Sequence, residues 1–149
     1  MEQRSQELQL APANEILIAC PADEVFRFLA DPENDLQSRS GVLDLKRISG
    51  TGLGARYQQT VTGPGGKRIA ADIEITELEP GHAIAFQTVT GPVRPRGRYL
   101  LTAADGGTRL RFELEAKVGG LKRPMAPIVQ KTMDAEVSQL ERLKQLLER

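Results

Sequence analysis

The chain has 149 residues, enough for one domain with a sizeable core. It is 40% hydrophobic and 27% charged, and its twenty basic and twenty acidic side chains cancel. This balance excludes a polyelectrolyte that recruits nucleic acid or anionic membrane through a global field. Aromatic residues make up only 4% and Trp is absent, which argues against a surface that stacks bases or sugars.

A single cysteine, Cys20, has no partner for an internal disulfide, and no His/Cys cluster has zinc spacing. Cys20 is expected to be a small buried strand residue. No metal or cofactor is expected. The first residues are polar and lack the apolar core of a secretory signal, and no run approaches the roughly 18 apolar residues of a membrane span. A cytoplasmic protein with no integral membrane association is the expectation.

Residues 1–7 are expected to form a flexible tail and 8–149 a single domain. A first strand is predicted within Leu8 to Cys20, clearest from Glu15 to Cys20. Pro21-Ala22-Asp23-Glu24 reads as a helix start, with proline early and acids in the first turn. Val25, Phe26, Phe28 and Leu29 supply the buried face of that helix, which stops at Asp31-Pro32. A further short helical turn is predicted between Glu33 and Ser40.

The period then changes from 3.6 to 2. Val42 to Ile48 is a strand, and Gly50 to Gly54 is a turn-rich link. Ala55, Tyr57, Gln59 and Val61 share one face of the next strand, which a Gly63-Pro64-Gly65-Gly66 hairpin closes. Ile69, Ala71, Ile73 and Ile75 point inward on the following strand, as do Ile84, Phe86 and Thr88 on the one after it. Tyr99 and Leu101 are placed inward on the sixth strand, although the parity of this strand and of the second is not fixed by pattern. The seventh runs from Thr108 to Val118, with Leu110, Phe112, Leu114, Ala116 and Val118 inward. Short links favour antiparallel pairing, and alternation demands one covered face and one solvated face.

From Met125 on, apolar residues recur at Val129, Met133, Val137, Leu140, Leu143 and Leu147, the spacing of one helical face. One continuous helix of about 25 residues, near 38 Å long, is predicted to lay this face on the sheet. The fold class is α+β.

The order β-α-α-β₆-α, together with Pro21-Ala22-Asp23-Glu24-Val25-Phe26-Arg27-Phe28-Leu29-Ala30-Asp31-Pro32-Glu33, resembles the SRPBCC (START-like, helix-grip) superfamily. Gly52-Leu53-Gly54-Ala55-Arg56-Tyr57, Ile75 to Gly81 and Gly107-Thr108-Arg109-Leu110 place the likeness nearest its polyketide cyclase/dehydrase-type branch. It covers residues 8–149, and its motifs are turns and helix starts, specific for fold and nearly silent on chemistry. Many relatives carry a Trp shortly after the aspartate-proline step, where this chain has Leu36-Gln37-Ser38-Arg39. The resemblance implies a curved seven-stranded antiparallel sheet gripping the C-terminal helix, with a pocket between them for a lipid, polyketide or other apolar molecule.

The residues expected to line that pocket are Tyr57, Gln59, Ile73, Phe86, Thr88, Tyr99, Leu101, Phe112 and Leu114 from the sheet. Val129, Met133 and Val137 would close it from the helix. Tyr57, Gln59, Thr88 and Tyr99 are the informative members, because a buried polar group without a partner costs about 1–3 kcal/mol. Gly63-Pro64-Gly65-Gly66-Lys67 lacks the strand-loop-helix context and the Ser or Thr of a phosphate loop, so it reads as a hairpin. His82 sits in a Pro-Gly turn and reads as solvated, as does the Arg94, Arg96 and Arg98 cluster. No Ser-His-Asp set or paired-carboxylate motif stands out, and the inward strand positions hold no Asp or Glu. No catalytic residue is assigned. The leading expectation is a binding protein for an apolar small molecule. A polyketide cyclase/dehydratase-type enzyme and a protein-interaction module are the alternatives, and the oligomeric state is undetermined.

Overall fold

A computed structural model describes residues 8–149 apart from Pro92, with the backbone alone at Pro64. The residues expected as a tail, 1–7, lie outside the described residues. Strand β1 (Leu8–Leu10) and strand β2 (Ala13–Ile18) both pair antiparallel with the long strand β9 (Gly107–Val118). Leu8 lies opposite Val118 and Ala13 opposite Glu113, so β1 and β2 are one edge strand broken at Ala11-Pro12. Proline has no N–H for the ladder, but the Pro12 carbonyl still accepts the Leu114 N–H at 3.0 Å. The first strand expected within Leu8 to Cys20 is thus interrupted, and Cys20 lies past its end, in a bend. It is buried as expected, and its thiol donates to Glu24 Oε2 at 3.1 Å.

After the edge strand come helix α1 (Ala22–Leu29), a 3₁₀ turn (Pro32–Asn34) and helix α2 (Asp35–Ser38). The meander continues with β3 (Val42–Ser49), β4 (Arg56–Thr62), β5 (Arg68–Ala70), β6 (Ile73–Glu79), β7 (Ala83–Thr88) and β8 (Arg96–Ala104). β5 and β6 also form one strand with a break, at Ala71-Asp72. There the Asp72 carboxylate takes the Gln59 N–H at 3.1 Å, and its own N–H reaches Thr90 Oγ1 at 2.7 Å. Counting the two broken strands once each leaves the seven expected, in the spatial order β1-β9-β8-β7-β6-β4-β3 with antiparallel neighbours.

The alternation decides which face is covered. Leu110, Phe112, Leu114, Ala116 and Val118 of β9 are all buried, as are Tyr99 and Leu101 of β8. In β3 a register shift between Val42 and Asp44 brings Val42 and Leu45, three residues apart, to the core side. That bulge is why a strict period of two left this strand's parity open. The solvated face is laced by cross-strand ion pairs. Arg98 meets Glu77 at 2.8 Å, Arg56 meets Glu74 at 2.8 Å, and Arg96 meets Glu115.

The C-terminal segment leaves β9 through a 3₁₀ turn (Gly120–Met125) and becomes helix α3 (Ala126–Val137) and helix α4 (Leu140–Leu147). The helix is long but not continuous. At Ser138-Gln139 the backbone tightens, with the Gln139 N–H on the Glu136 carbonyl at 3.1 Å and the Arg142 N–H on the Gln139 carbonyl at 3.0 Å. The Ser138 hydroxyl donates back to the Ala135 carbonyl at 2.8 Å, and Asn14 caps the Val137 carbonyl at 3.1 Å. Serine bonding to the preceding turn bends helices in this way. Val129, Met133, Val137, Leu140 and Leu143 are buried against the sheet. No helix among the described residues is long and apolar enough to cross a membrane.

Candidate functional site

The α1 helix packs on β7, β8 and β9 and closes one part of the inner face of the sheet. Elsewhere α3 stands off the sheet and leaves a cavity of about 260 Å³. Its sheet wall includes Gln59 and Val61 from β4, Phe86 and Thr88 from β7, and Leu114 from β9. Val129, Thr132, Met133 and Glu136 face them from α3. Lys67 in the β4–β5 hairpin region and Lys122 and Met125 in the 3₁₀ turn complete the rim. A larger groove of about 660 Å³ between β1 and the start of α3, lined by Leu8, Leu10, Pro124 and Pro127 with Arg123 and Gln130, is open to the outside.

One backbone position shapes the cavity wall. Gly97 faces inward in register with Phe86 and Leu114. A Cβ built on it would stand 2.2 Å from Phe86 Cζ. The missing side chain lets the Phe86 ring lie flat over β8 instead of projecting further into the cavity.

Of the twelve residues expected to line a pocket, the structure brings Gln59, Phe86, Thr88, Leu114, Val129 and Met133 together around this cavity. Ile73, Leu101, Phe112 and Val137 do not line it and pack in the hydrophobic core. Tyr99 is stacked on Phe112 at 4.3 Å between ring centroids and is also core. Tyr57 borders a separate surface recess with Asp31, Glu33 and Arg47. Burial and the nearby Asp31 charge push its phenol above the ordinary range. These six placements differ from expectation because inward parity selects a face of the sheet. Where α1 and α3 settle on that face decides which part stays open.

Charge enters the cavity wall from the helices. Asp35 and Arg39 are one turn apart on and just beyond α2, and Arg39 NH1 meets Asp35 Oδ2 at 2.9 Å. Arg39 Nε and NH2 both reach Glu136 Oε2 of α3, at 2.8 and 2.7 Å. The side chains of Asp35 and Arg39 are only 7% and 8% exposed. Burial pushes the Asp35 carboxyl up to about 6, against the lowering pull of Arg39. Burial also disfavours the charge on Arg39, but the Glu136 and Asp35 carboxylates outweigh it and hold the guanidinium firmly protonated. The neighbouring Tyr99 hydroxyl is pushed well up by burial and by Asp35. Arg39 Cζ also lies 6.0 Å from the centroid of the Phe86 ring, linking the charged cluster to the aromatic wall.

Arg39 and Glu136 were not expected at the site, though two signals pointed to them. Asp35 and Arg39 have the i,i+4 spacing of a helical ion pair, and Glu136 falls three residues after Met133 on the buried stripe. Gln59 is 3% exposed, and its Nε2 donates to the Ala71 carbonyl at 2.9 Å. Its Oε1 is buried with no hydrogen-bond partner among the described residues. The His82 ring is exposed, and Arg96 and Arg98 are paired on the solvated face, as the solvated readings of these residues require. The described residues hold no cluster of His, Cys, Asp and Glu suited to a metal.

The family model "Polyketide cyclase / dehydrase and lipid transport" matches residues 13–148. The chain belongs to this family. Solved structures agree on the fold. The di-domain aromatase/cyclase StfQ of the steffimycin biosynthetic pathway superposes with a TM-score of 0.77 at 15% identity, over 95% of this chain and 51% of that one. TTHA0849 from Thermus thermophilus gives 0.76 at 19% identity, covering 94% of this chain and 97% of its own. Ara h 8.0201 gives 0.71 at 13% identity, over 94% and 98%. No curated protein sequence matches the chain. At these identities the structural likeness carries the α+β helix-grip architecture and leaves the chemistry to the site.

Proposed function

We infer that the protein binds an apolar small molecule, of lipid, polyketide or aromatic type, in the cavity between the sheet and α3. The supporting observation is the cavity itself, about 260 Å³ bounded by Phe86, Leu114, Val129 and Met133 and edged by a few polar groups. This combination is the usual form of a small-molecule site, and the volume falls just under the usual lower bound of roughly 300 Å³. Native mass spectrometry of protein isolated from its own host tests the reading directly, by the mass of a retained apolar compound. Met133→Trp tests the location. The indole should fill the space and weaken probe binding by at least about tenfold, equivalent to roughly 1.4 kcal/mol, with a modest change in stability. Unchanged binding in a folded Met133→Trp protein overturns the placement, and an unfolded variant shows that this part of α3 is solid core.

One observation favours a second reading, a cyclase- or dehydratase-type enzyme. Arg39 and Glu136 set a charged pair on the wall of the chamber, and a positioned carboxylate contributes about 10²–10⁴-fold in proton transfer. Neither Tyr57 nor Tyr99 lines the cavity, so a reaction there would rest on Glu136 rather than on a tyrosine. Under this reading Glu136→Gln lowers turnover of an aromatising polyketone analogue by about 10²-fold or more while the analogue still binds. Equal turnover in the two proteins rejects it.

A further inference from the structure

Resting on the reading of the cavity as a small-molecule site, we propose that its ligand carries a neutral hydrogen-bond donor, a hydroxyl or phenol group, which Gln59 Oε1 accepts. Gln59 lines the cavity, is 3% exposed, and leaves Oε1 unpartnered among the described residues. Buried polar atoms nearly always find a partner, so an orphan on a residue that lines a chamber is a vacancy for one. The orientation of the amide is set by its other end. Nε2 donates to the Ala71 carbonyl at 2.9 Å, and the flipped amide would set carbonyl against carbonyl. The open valence is therefore an acceptor, and only a donor fits it.

The hydrogen-bond donors of Arg39, which also lines the cavity, are already committed. Asp35 and Glu136 share the single guanidinium of Arg39, whose Nε, NH1 and NH2 are all engaged. Thr88, another lining residue, offers a hydroxyl able to donate or accept. Oε1 is shut off from water, so its desolvation is already part of the folded state and a donor that meets it recovers that loss. The flexible thioethers of Met125 and Met133 on the lining are the side chains best able to give way as a ligand enters. The cavity of about 260 Å³ has the volume of roughly nine liquid waters, which suits a one- or two-ring phenol or a short-chain alcohol.

The test uses three probes of one shape on the full chain at neutral pH: 2-naphthol, naphthalene and 2-naphthoate. The chain contains no Trp, which leaves naphthol fluorescence clear of indole background. The expected order is naphthol tighter than naphthalene by about tenfold, the worth of one buried hydrogen bond, while naphthoate, with no proton to donate at neutral pH, gains nothing from Gln59. In Gln59→Met the preference for naphthol should collapse to within about threefold of naphthalene, whose own affinity is retained. Should that variant not fold, the order of naphthol and naphthalene on the unaltered chain decides alone. Equal binding of naphthol and naphthalene, a loss of naphthoate affinity in Gln59→Met as large as that of naphthol, or an undiminished preference in Gln59→Met overturns the inference while leaving an apolar-ligand site standing. Failure of all three probes to bind removes the inference together with the small-molecule reading on which it rests.

Discussion

Replacing Arg39 by Met should expose how much the buried ionic cluster constrains this fold. The substitution keeps most of the apolar stem and removes the guanidinium that stands 2.9 Å from Asp35 and 2.7 Å from Glu136. Two carboxylates are then left in a space where their own side chains are only 7% and 14% exposed. Breaking a buried pair in this way costs about 3–5 kcal/mol, a large share of the roughly 5–15 kcal/mol that holds a typical domain together. For a chain of this length the loss corresponds to a fall in Tm of roughly 10–15 °C. The penalty must depend on pH. Without the lowering pull of Arg39 the buried Asp35 carboxyl holds its proton to still higher pH than in the unfolded chain. Stability therefore falls as pH rises through the unfolded and then the folded values, and the deficit shrinks on acidification. Urea melts of both proteins at pH 7 and pH 4.5 measure this. A loss below about 1 kcal/mol at pH 7 would mean that the cluster is more solvated than its burial indicates. An equal loss at both pH values would mean that the guanidinium acts through packing and not through charge.

Asp35→Asn should flatten the pH dependence of the otherwise unaltered protein. The folded carboxyl is raised from 3.8 to about 6, so its contribution is most favourable below the unfolded value and declines as pH rises towards 6. Integrated over that window the decline is at most about 3 kcal/mol, and parallel stability-pH curves for the two proteins would contradict it. Gly97→Ala should place a Cβ 2.2 Å from Phe86 Cζ and drive the ring into the cavity. Overpacking of this kind costs about 1–3 kcal/mol and should weaken binding of a hydrophobic probe, so a folded Gly97→Ala protein that binds the probe normally refutes the proposed wall.

The sheet was legible because its signal is local. Leu110 to Val118 alternate without exception, and each apolar member of that run is buried. The break at Ala11-Pro12 was written in Pro12, since a strand interior has no use for a residue without an N–H. The interruption at Ser138 was harder to see. Ser138 sits between two good helical stripes, and only its bond to Ala135, together with the Asn14 cap on Val137, shows the helix tightening there. The site was half legible. Gln59, Phe86, Thr88 and Leu114 were recoverable from parity, but parity treats Tyr57 and Gln59 as equals on one strand. Their separation into a surface recess and an inner cavity depends on where α1 and α3 rest, which is tertiary information. Arg39 and Glu136 escaped for a different reason. Charged residues on short helices are assigned to solvent unless a partner is known, and these partners are 97 residues apart in sequence.

That separation bears on why the cavity can exist at all. Apolar walls facing a void gain by closing on it, since each contact made adds dispersion energy and removes empty volume. Something must hold α3 off the sheet. The Arg39 guanidinium spans from α2 to α3 and fixes the distance between them through directional bonds to two carboxylates. Gly41 permits the close approach, since a Cβ there would stand 2.7 Å from Glu136 Oε1. Hydrophobic replacements for a buried ion cluster are often neutral or stabilising, but apolar side chains could slide inward and fill the space that the cluster leaves open. The cluster is thus a poor source of stability and a good spacer. An apolar replacement of the whole cluster would therefore keep the melting temperature and lose the cavity, whereas removal of Arg39 alone lowers the melting temperature as well.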